Sequence, residues 1–386
     1  MPVKRSYEEI NEKLKKGTAV VLTAEEVSKM AAELTPAEIA KKVDVVTTAT
    51  FGPMCSSGAF INFGHPSPGL RMEEITLNGV PVYGGVAAVD AYIGATSEHP
   101  QNPNYGGGHI IEELVQGKEI VLKARGKGTD CYPRKELATV ITKNSVNEIF
   151  LFNPRNAYQN YAVATNSSKA VKYTYMGVLL PELTNATYST SGELSPLLND
   201  PDMRTVGVGT KIFLCGAQGF VVWPGTQFNT SKLKNDKGIP KSNAATLAVL
   251  GDLKAMDPRF IKGAVYEKYG VSLFVGIGIP IPILDEDLAA RCAIRNHEIE
   301  TTIFDYGDPS RPMLGSANYR DLQSGEIAIR GRTVKTAPLS SLKKAREIAL
   351  ELQSWLRKGE FSLTAPVAAF PTGTTVKGLE IKGGAK

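Results

Sequence analysis

Thr35–Thr50, TPAEIAKKVDVVTTAT, holds a helix start, a helix and a strand in immediate succession. Thr35 can accept from the backbone at Glu38 while Glu38 reaches back, a capping box, and Pro36 occupies the first helical position, where no amide donor is needed. Val43–Thr50 (VDVVTTAT) is β-branched almost throughout and reads as a strand. Toward the N-terminus the same grammar repeats. Ser6 with Glu9 opens a helix that Gly17 ends, Ala19–Leu22 is a short apolar strand, and Thr23 with Glu26 opens a second helix. This alternation predicts an α/β chain, mixed α/β to α+β, with a mixed sheet or sheets flanked by helices. A length of 386 residues exceeds what one core usually takes. Two lobes are therefore expected: residues 1–230 carrying Cys55 and Cys131, and residues 231–370, followed by a mobile tail over 371–386.

Toward the C-terminus, residues 51–110 are rich in Gly, Pro, Ser and Asn (FGPMCSSGAFINFGHPSPG) and read as a long functional loop. A helix is expected over His109–Val115. Strands are expected at Glu119–Ala124, Glu148–Phe152, Val171–Leu180, Lys211–Cys215, Gly219–Trp223 and Val271–Ile279. Further helices are expected over Ser242–Met256, Arg259–Lys268 and Asp285–Arg291. The last helix is the clearest. Ser340 or Ser341 caps it, Gly359 ends it, and Ala345, Ile348, Ala349, Leu352, Trp355 and Leu356 fall on one face.

Net charge is +5, with 44 basic residues interleaved among 39 acidic ones. No concentrated basic stripe marks a nucleic-acid surface. No run approaches the length of a membrane helix, and the polar start at Met1–Tyr7 is not a signal peptide. A cytoplasmic protein that avoids nucleic acid and membrane is expected.

Chemistry falls to four cysteines, Cys55, Cys131, Cys215 and Cys292. None forms a CxxC pair, so zinc ribbons and thioredoxin-type motifs are disfavoured. Cys131 lies in KARGKGTDCYPRKE, a glycine-rich turn where Arg125, Lys127, Arg134 and Lys135 favour the nucleophilic thiolate and Asp130 opposes them. Cys55 lies in FGPMCSSGAF, where Ser56, Ser57 and Gly58 offer backbone amides for an anion-holding nest. A tight turn with a small filler residue explains that run equally well. Cys215 ends the strand KIFLC and, like Cys292 in its helix, reads more readily as core. Cys55, Cys131 and Cys215 each follow a strand, the edge where open α/β sheets place their sites. His65, ten residues after Cys55, can serve as acid or base, and His109 with Glu112 or Glu113 is a weak ligand pair. No GxGxxG, P-loop or HExxH motif is present: Gly207 and Gly209 begin the first, but Ile212 stands at its third glycine.

At these residues the sequence resembles the L-aspartate semialdehyde sulfurtransferase family, which makes homocysteine in methanogens and some anaerobic bacteria. The resemblance rests on YEEINEKLKKGTAVVLTAEE, VDVVTTATFGPMCSSGAFINFGH, KGTDCYPRKE, FLCGAQGFVVWPGTQFN and TAPLSSLKKAREIALELQSWLRKGEF, and runs from about Ser6 to Phe370. It implies a sulfurtransferase in amino-acid biosynthesis that carries sulfur as a persulfide on Cys131, with Cys55 as the second thiol. Arg125, Arg134, Ser56, Ser57 and His65 become candidate contacts for the substrate. Many members append cystathionine-β-synthase-type domains; the sequence to Lys386 shows none, so regulation through them is not expected. The resemblance also implies a ferredoxin-like iron–sulfur partner, and a homo-oligomer is expected. An aldehyde becomes a thiol only with two electrons, and no dinucleotide fingerprint supplies them. Two alternatives stand beside this reading: an iron–sulfur cluster ligated by Cys55, Cys131 and Cys215 that carries sulfide, or a non-catalytic scaffold for the ferredoxin partner.

Overall fold

The computed structural model describes residues 2–381. All three capping boxes form: Ser6 with Glu9, Thr23 with Glu26 and Thr35 with Glu38 open helices Tyr7–Lys15, Ala24–Met30 and Pro36–Lys42. The strand read from VDVVTTAT runs from Val45 to Pro53 and is buried along nearly its whole length. Val21–Thr23 pairs with it in parallel, and the long strand Gly270–Pro282 pairs antiparallel on its other side. Asp44, just before it, is buried and holds the N-terminal helix to the sheet. Its carboxylate accepts from Lys13 Nζ at 2.7 Å and from the Val20 amide at 2.9 Å.

The chain is mixed α/β, with two principal sheets. The larger is 14-stranded. From Val21–Thr23 it passes through 45–53, 270–282, 211–214, 217–224, 247–252, 148–156 and 58–62, then 90–94, 80–83, 74–77, 120–125 and 136–141, with 261–266 pairing off this path with 270–282. Its two strands 45–53 and 58–62 stand six pairing steps apart, yet four residues join them. Laid flat, six steps of about 4.8 Å would separate them by roughly 29 Å. The connecting backbone spans at most about 17 Å. The sheet must therefore curl back on itself, with residues 54–57 as a tight turn between these two strands. The smaller, six-stranded sheet orders 313–318, 300–305, 163–165, 185–188, 332–338 and 326–329 over its own core, which includes Val163, Ile303 and Tyr319. Both sheets draw strands from either side of residue 230.

The final helix, Leu342–Arg357, is capped by Ser341 and lays the expected face on the large sheet. It can approach closely because two facing strand residues are glycines. A Cβ at Gly276 would lie 2.8 Å from Ile348 Cδ1, and one at Gly278 3.0 Å from Ile348 Cγ2. Beyond it, Thr374 pairs with the backbone at Thr230 and Ser231. The end of the expected tail, residues 382–386, lies outside the described residues.

Several sequence expectations are corrected. Residues 51–110 are not a loop: they contain the short strands 58–62, 74–77, 80–83, 90–94, 98–99 and 102–106. Leu247–Asp252 is a strand within the expected helix 242–256, and Ile261–Tyr266 is a strand where a helix was expected over 259–268. The Leu/Ala-rich run TLAVLGD suits a helix locally, but pairing on both edges with 148–156 and 217–224 overrides that preference. Val171–Leu180 is a hairpin of Lys172–Thr174 and Gly177–Leu179, turned at Gly177 with φ +85°.

Candidate active site

Cys55 occupies the turn 54–57 between the strands 45–53 and 58–62. The chain turns there because the Ser57 amide and hydroxyl both donate to the Met54 carbonyl, at 2.9 and 2.7 Å, while the Met54 amide donates to Leu273 O at 2.7 Å. The turn is tight, with Ser57 buried and its hydroxyl spent on it. Cys55 is half-buried, its Sγ 3.1 Å from the Oγ of fully buried Ser272. It opens into a cavity of about 500 Å³ whose wall includes Ser56, Arg155, Arg311, Tyr158, Tyr161 and Tyr175. That volume suits a small metabolite with room for a second reactant.

The wall is built from several distant segments. Arg155 closes the strand 148–156, and Ala157, at φ +49°, turns the chain so that Tyr158 and Tyr161 face inward, their rings edge to face at 4.7 Å. Tyr175 comes from the hairpin 172–179 and shares a 2.7 Å hydroxyl–hydroxyl hydrogen bond with Tyr306. Arg311, itself at φ +48°, lies over the Tyr306 ring, 4.5 Å from its centroid. Burial pushes the phenols of Tyr158, Tyr161, Tyr269 and Tyr306 up; Arg155 partly offsets this at Tyr158. The hydroxyls of Tyr158, Tyr161 and Tyr269, which line the cavity, therefore stay protonated at neutral pH and can donate to a developing oxyanion.

Cys131 lies elsewhere, at the exposed tip of the hairpin joining Ile120–Arg125 to Glu136–Ile141. Gly126 N donates to Lys135 O at 2.8 Å, and Thr129 and Tyr132 exchange backbone hydrogen bonds across the tip. The Tyr132 ring stacks on His65, centroids 5.8 Å apart. The structure thus brings His65 to the Cys131 hairpin, not to Cys55. Arg134 spends Nε and Nη2 on the carbonyls of Pro68 and Ser67, at 3.1 and 3.0 Å, anchoring the hairpin to the loop before it. Lys127 is 3.9 Å from Glu73. Arg125 is exposed and faces a groove of about 860 Å³ beside the hairpin.

The two thiols do not meet within one chain. The strands 58–62 and 120–125 run the same way, linked through three antiparallel neighbours that align Phe60 with Arg125. Cys55 precedes the start of the first strand and Cys131 follows the end of the second. Four pairing steps of about 4.8 Å set these two strands roughly 19 Å apart across the sheet. Cys215 sits in the turn after 211–214 at φ +50°, fully buried, and burial pushes its thiol up to about 12. Cys292 is also buried, its thiol pushed up by the same cause. Cys55, Cys131 and Cys215 do not converge, so they do not fit one iron–sulfur cluster. No group of three or more His, Cys, Asp or Glu side chains suited to a metal occurs among the described residues. His109 caps its own helix, Nδ1 accepting from Gly106 N at 3.2 Å.

Sequence reasoning missed Arg155, Arg311 and the tyrosines. NPRNAYQNY and GDPSRP match no motif, and only the fold brings them to Cys55.

Residues 19–363 match the family model described as "Homocysteine biosynthesis enzyme, sulfur-incorporation", and the chain belongs to that family of enzymes. It is 50% identical over 383 residues to an L-aspartate semialdehyde sulfurtransferase of Methanocaldococcus jannaschii, covering 95% of this chain and 73% of that protein. It is 47% identical over 368 residues to the protein of the same name from Methanosarcina acetivorans, covering 95% of this chain and 72% of that one. No solved structure matches. No helix among the described residues is long and apolar enough to cross a membrane.

Proposed function

We propose that the chain converts L-aspartate semialdehyde to L-homocysteine, with the carbonyl chemistry at Cys55 and sulfur delivery through Cys131. The observation that carries this is the setting of Cys55: a thiol opening into a small-molecule cavity beside two guanidinium groups and protonated tyrosines. The relatives' names supply the substrate. Cys131, exposed on a hairpin tip, is accessible to a protein donor in a way that Cys55 is not.

The reaction balances as follows. A persulfide on Cys55 attacks the aldehyde carbon through its outer sulfur, forming a C–S bond and an alkoxide that a tyrosine hydroxyl protonates. Two electrons and two protons cleave the S–S bond, returning the Cys55 thiol and leaving a hydroxy-thiol on the substrate carbon. Loss of water leaves a thiocarbonyl, and two more electrons with two protons give the primary thiol. From sulfide instead of persulfide, two electrons suffice. A ferredoxin-like iron–sulfur partner is the electron source in this reading, as the family resemblance implies for a sequence without a dinucleotide fingerprint.

The test is homocysteine formation by the purified chain with its electron-donating partner, aspartate semialdehyde and a sulfur source, read by mass spectrometry. Cys55→Ala is expected to abolish product with a persulfide or protein-bound donor. Cys131→Ala is expected to lose activity with a protein-bound donor and to keep at least a third of it with excess free sulfide. Undiminished turnover by Cys55→Ala would overturn the assignment.

A further inference from the structure

The charge of the Cys55 cavity is one-sided. Arg155 and Arg311 face it, and no Asp or Glu lies in its wall. The adjoining groove shares Arg155, Tyr158, Tyr161, Gln227 and Asn243, adds Lys232, and again contains no acid. Neither arginine makes an ion pair among the described residues. Arg155 donates Nε to the Thr226 hydroxyl at 2.9 Å, and Arg311 rests on the Tyr306 ring. Asp308, the acid on the Arg311 turn, gives Oδ1 to the amide and hydroxyl of Ser310, both at 2.8 Å.

A site that reads both ends of an α-amino acid sets a carboxylate against the ammonium and a cation against the carboxylate. Here only the second half is built. An ammonium drawn toward the two guanidiniums would meet like charge at reduced dielectric with no carboxylate in the wall to offset it. We propose that this cavity selects its aldehyde by the carboxylate, through Arg155 and Arg311, and is blind to the amino group. The carboxylate lies between the guanidiniums, the aldehyde faces the Cys55 sulfur, and the amine points to the open mouth. Aldehyde acids of four carbons without the amine, succinic semialdehyde first, are then substrates of the same class. The inference rests on reading this cavity as the aldehyde site.

The test uses unreactive alcohols in place of the aldehydes, so that recognition is measured without turnover. Homoserine, 4-hydroxybutyrate and 3-aminopropan-1-ol correspond to the intact substrate, the molecule without the amine and the molecule without the carboxylate. Each is titrated against alkylation of Cys55 by iodoacetamide, followed by peptide mass spectrometry with Cys131 as internal control. Homoserine and 4-hydroxybutyrate are expected to protect Cys55 at concentrations within threefold of each other, and 3-aminopropan-1-ol not to protect. Arg155→Gln and Arg311→Gln are each expected to weaken protection by both acids tenfold or more. Alkylation of buried Cys215 or Cys292 would mark a variant as misfolded, and the other arginine variant then decides. Protection by homoserine at tenfold lower concentration than 4-hydroxybutyrate, or any protection by 3-aminopropan-1-ol, would overturn the inference, as would no protection at all. Equal protection by the two acids without homocysteine formation from aspartate semialdehyde would leave the recognition standing and remove the proposed reaction.

Discussion

Gly52 stands three residues before Cys55, and its position against Ser340 makes the cavity wall testable. A Cβ added at Gly52 would lie 2.6 Å from Ser340 Oγ and 3.5 Å from Ser340 Cβ. Ser340 Oγ accepts from the buried Thr190 amide at 3.2 Å and lies 3.1 Å from Ser189 Oγ; Ser189 and Leu339 both line the Cys55 cavity. Gly52→Ala leaves two responses. The hydroxyl can swing away and strand the Thr190 amide, or the backbones can part by about 1 Å to reach ordinary contact. Stranding a buried donor costs about 1–3 kcal/mol. Overpacking a well-filled contact costs about the same. Ser340→Ala alone strands the same amide and carries a similar cost. In the double variant the nearest remaining atom is Ser340 Cβ at 3.5 Å, an ordinary contact, so the added methyl does no further harm. Urea denaturation followed by circular dichroism measures all four proteins. The double variant is expected to match Ser340→Ala within about 0.5 kcal/mol, a coupling of about 1–3 kcal/mol. Strictly additive losses would refute the packing argument.

Two further outcomes follow from the thiols. In the native protein Cys131 and Cys55 are expected to react with iodoacetamide while Cys215 and Cys292, both fully buried, react only on unfolding; intact-mass spectra should plateau at two adducts, against four in denaturant, and a native plateau of three or more would contradict the burial. The Cys215 thiol is pushed from 9.0 to about 12, so its neutral form stabilises the fold below pH 9 and that contribution is lost as pH rises toward 12. Linkage puts the loss at about 1.4 kcal/mol between pH 8 and pH 10. Cys215→Ala should flatten the stability–pH curve by that amount, and an unchanged slope would show that the thiol is not held neutral.

Much of the N-terminal third was legible because capping is local. Ser6, Thr23 and Thr35 each need only a glutamate three residues on, so their helices could be placed from the chain alone. The stripe of Leu342–Arg357 was legible for the same reason: helical period is a property of one segment. The 51–110 region held a readable signal that glycine and proline content obscured. ITLNGVPV contains Asn78-Gly79, at φ +46° and +83°, between two alternating runs, the strongest short-range hairpin mark there is. The strand 247–252 had no comparable mark, since its identity comes from partners on distant stretches, whereas 261–266 forms a hairpin with the next strand, 270–282.

The candidate site divides along the same line. Four cysteines, the absence of a nucleotide motif and the family resemblance are properties of residue order, and from them a thiol-based sulfur chemistry could be read. Which thiol faces a cavity could not, because Cys55 and Cys131 both sit in small-residue turns after strands and differ only in what the far chain brings to them. The large sheet supplies Arg155, the turn after it Tyr158 and Tyr161, the hairpin 172–179 Tyr175 and the smaller sheet Arg311, all around one sulfur, while the other is left on an open tip. Capping and periodicity act over three or four residues, whereas a cavity is a relation among segments more than a hundred residues apart.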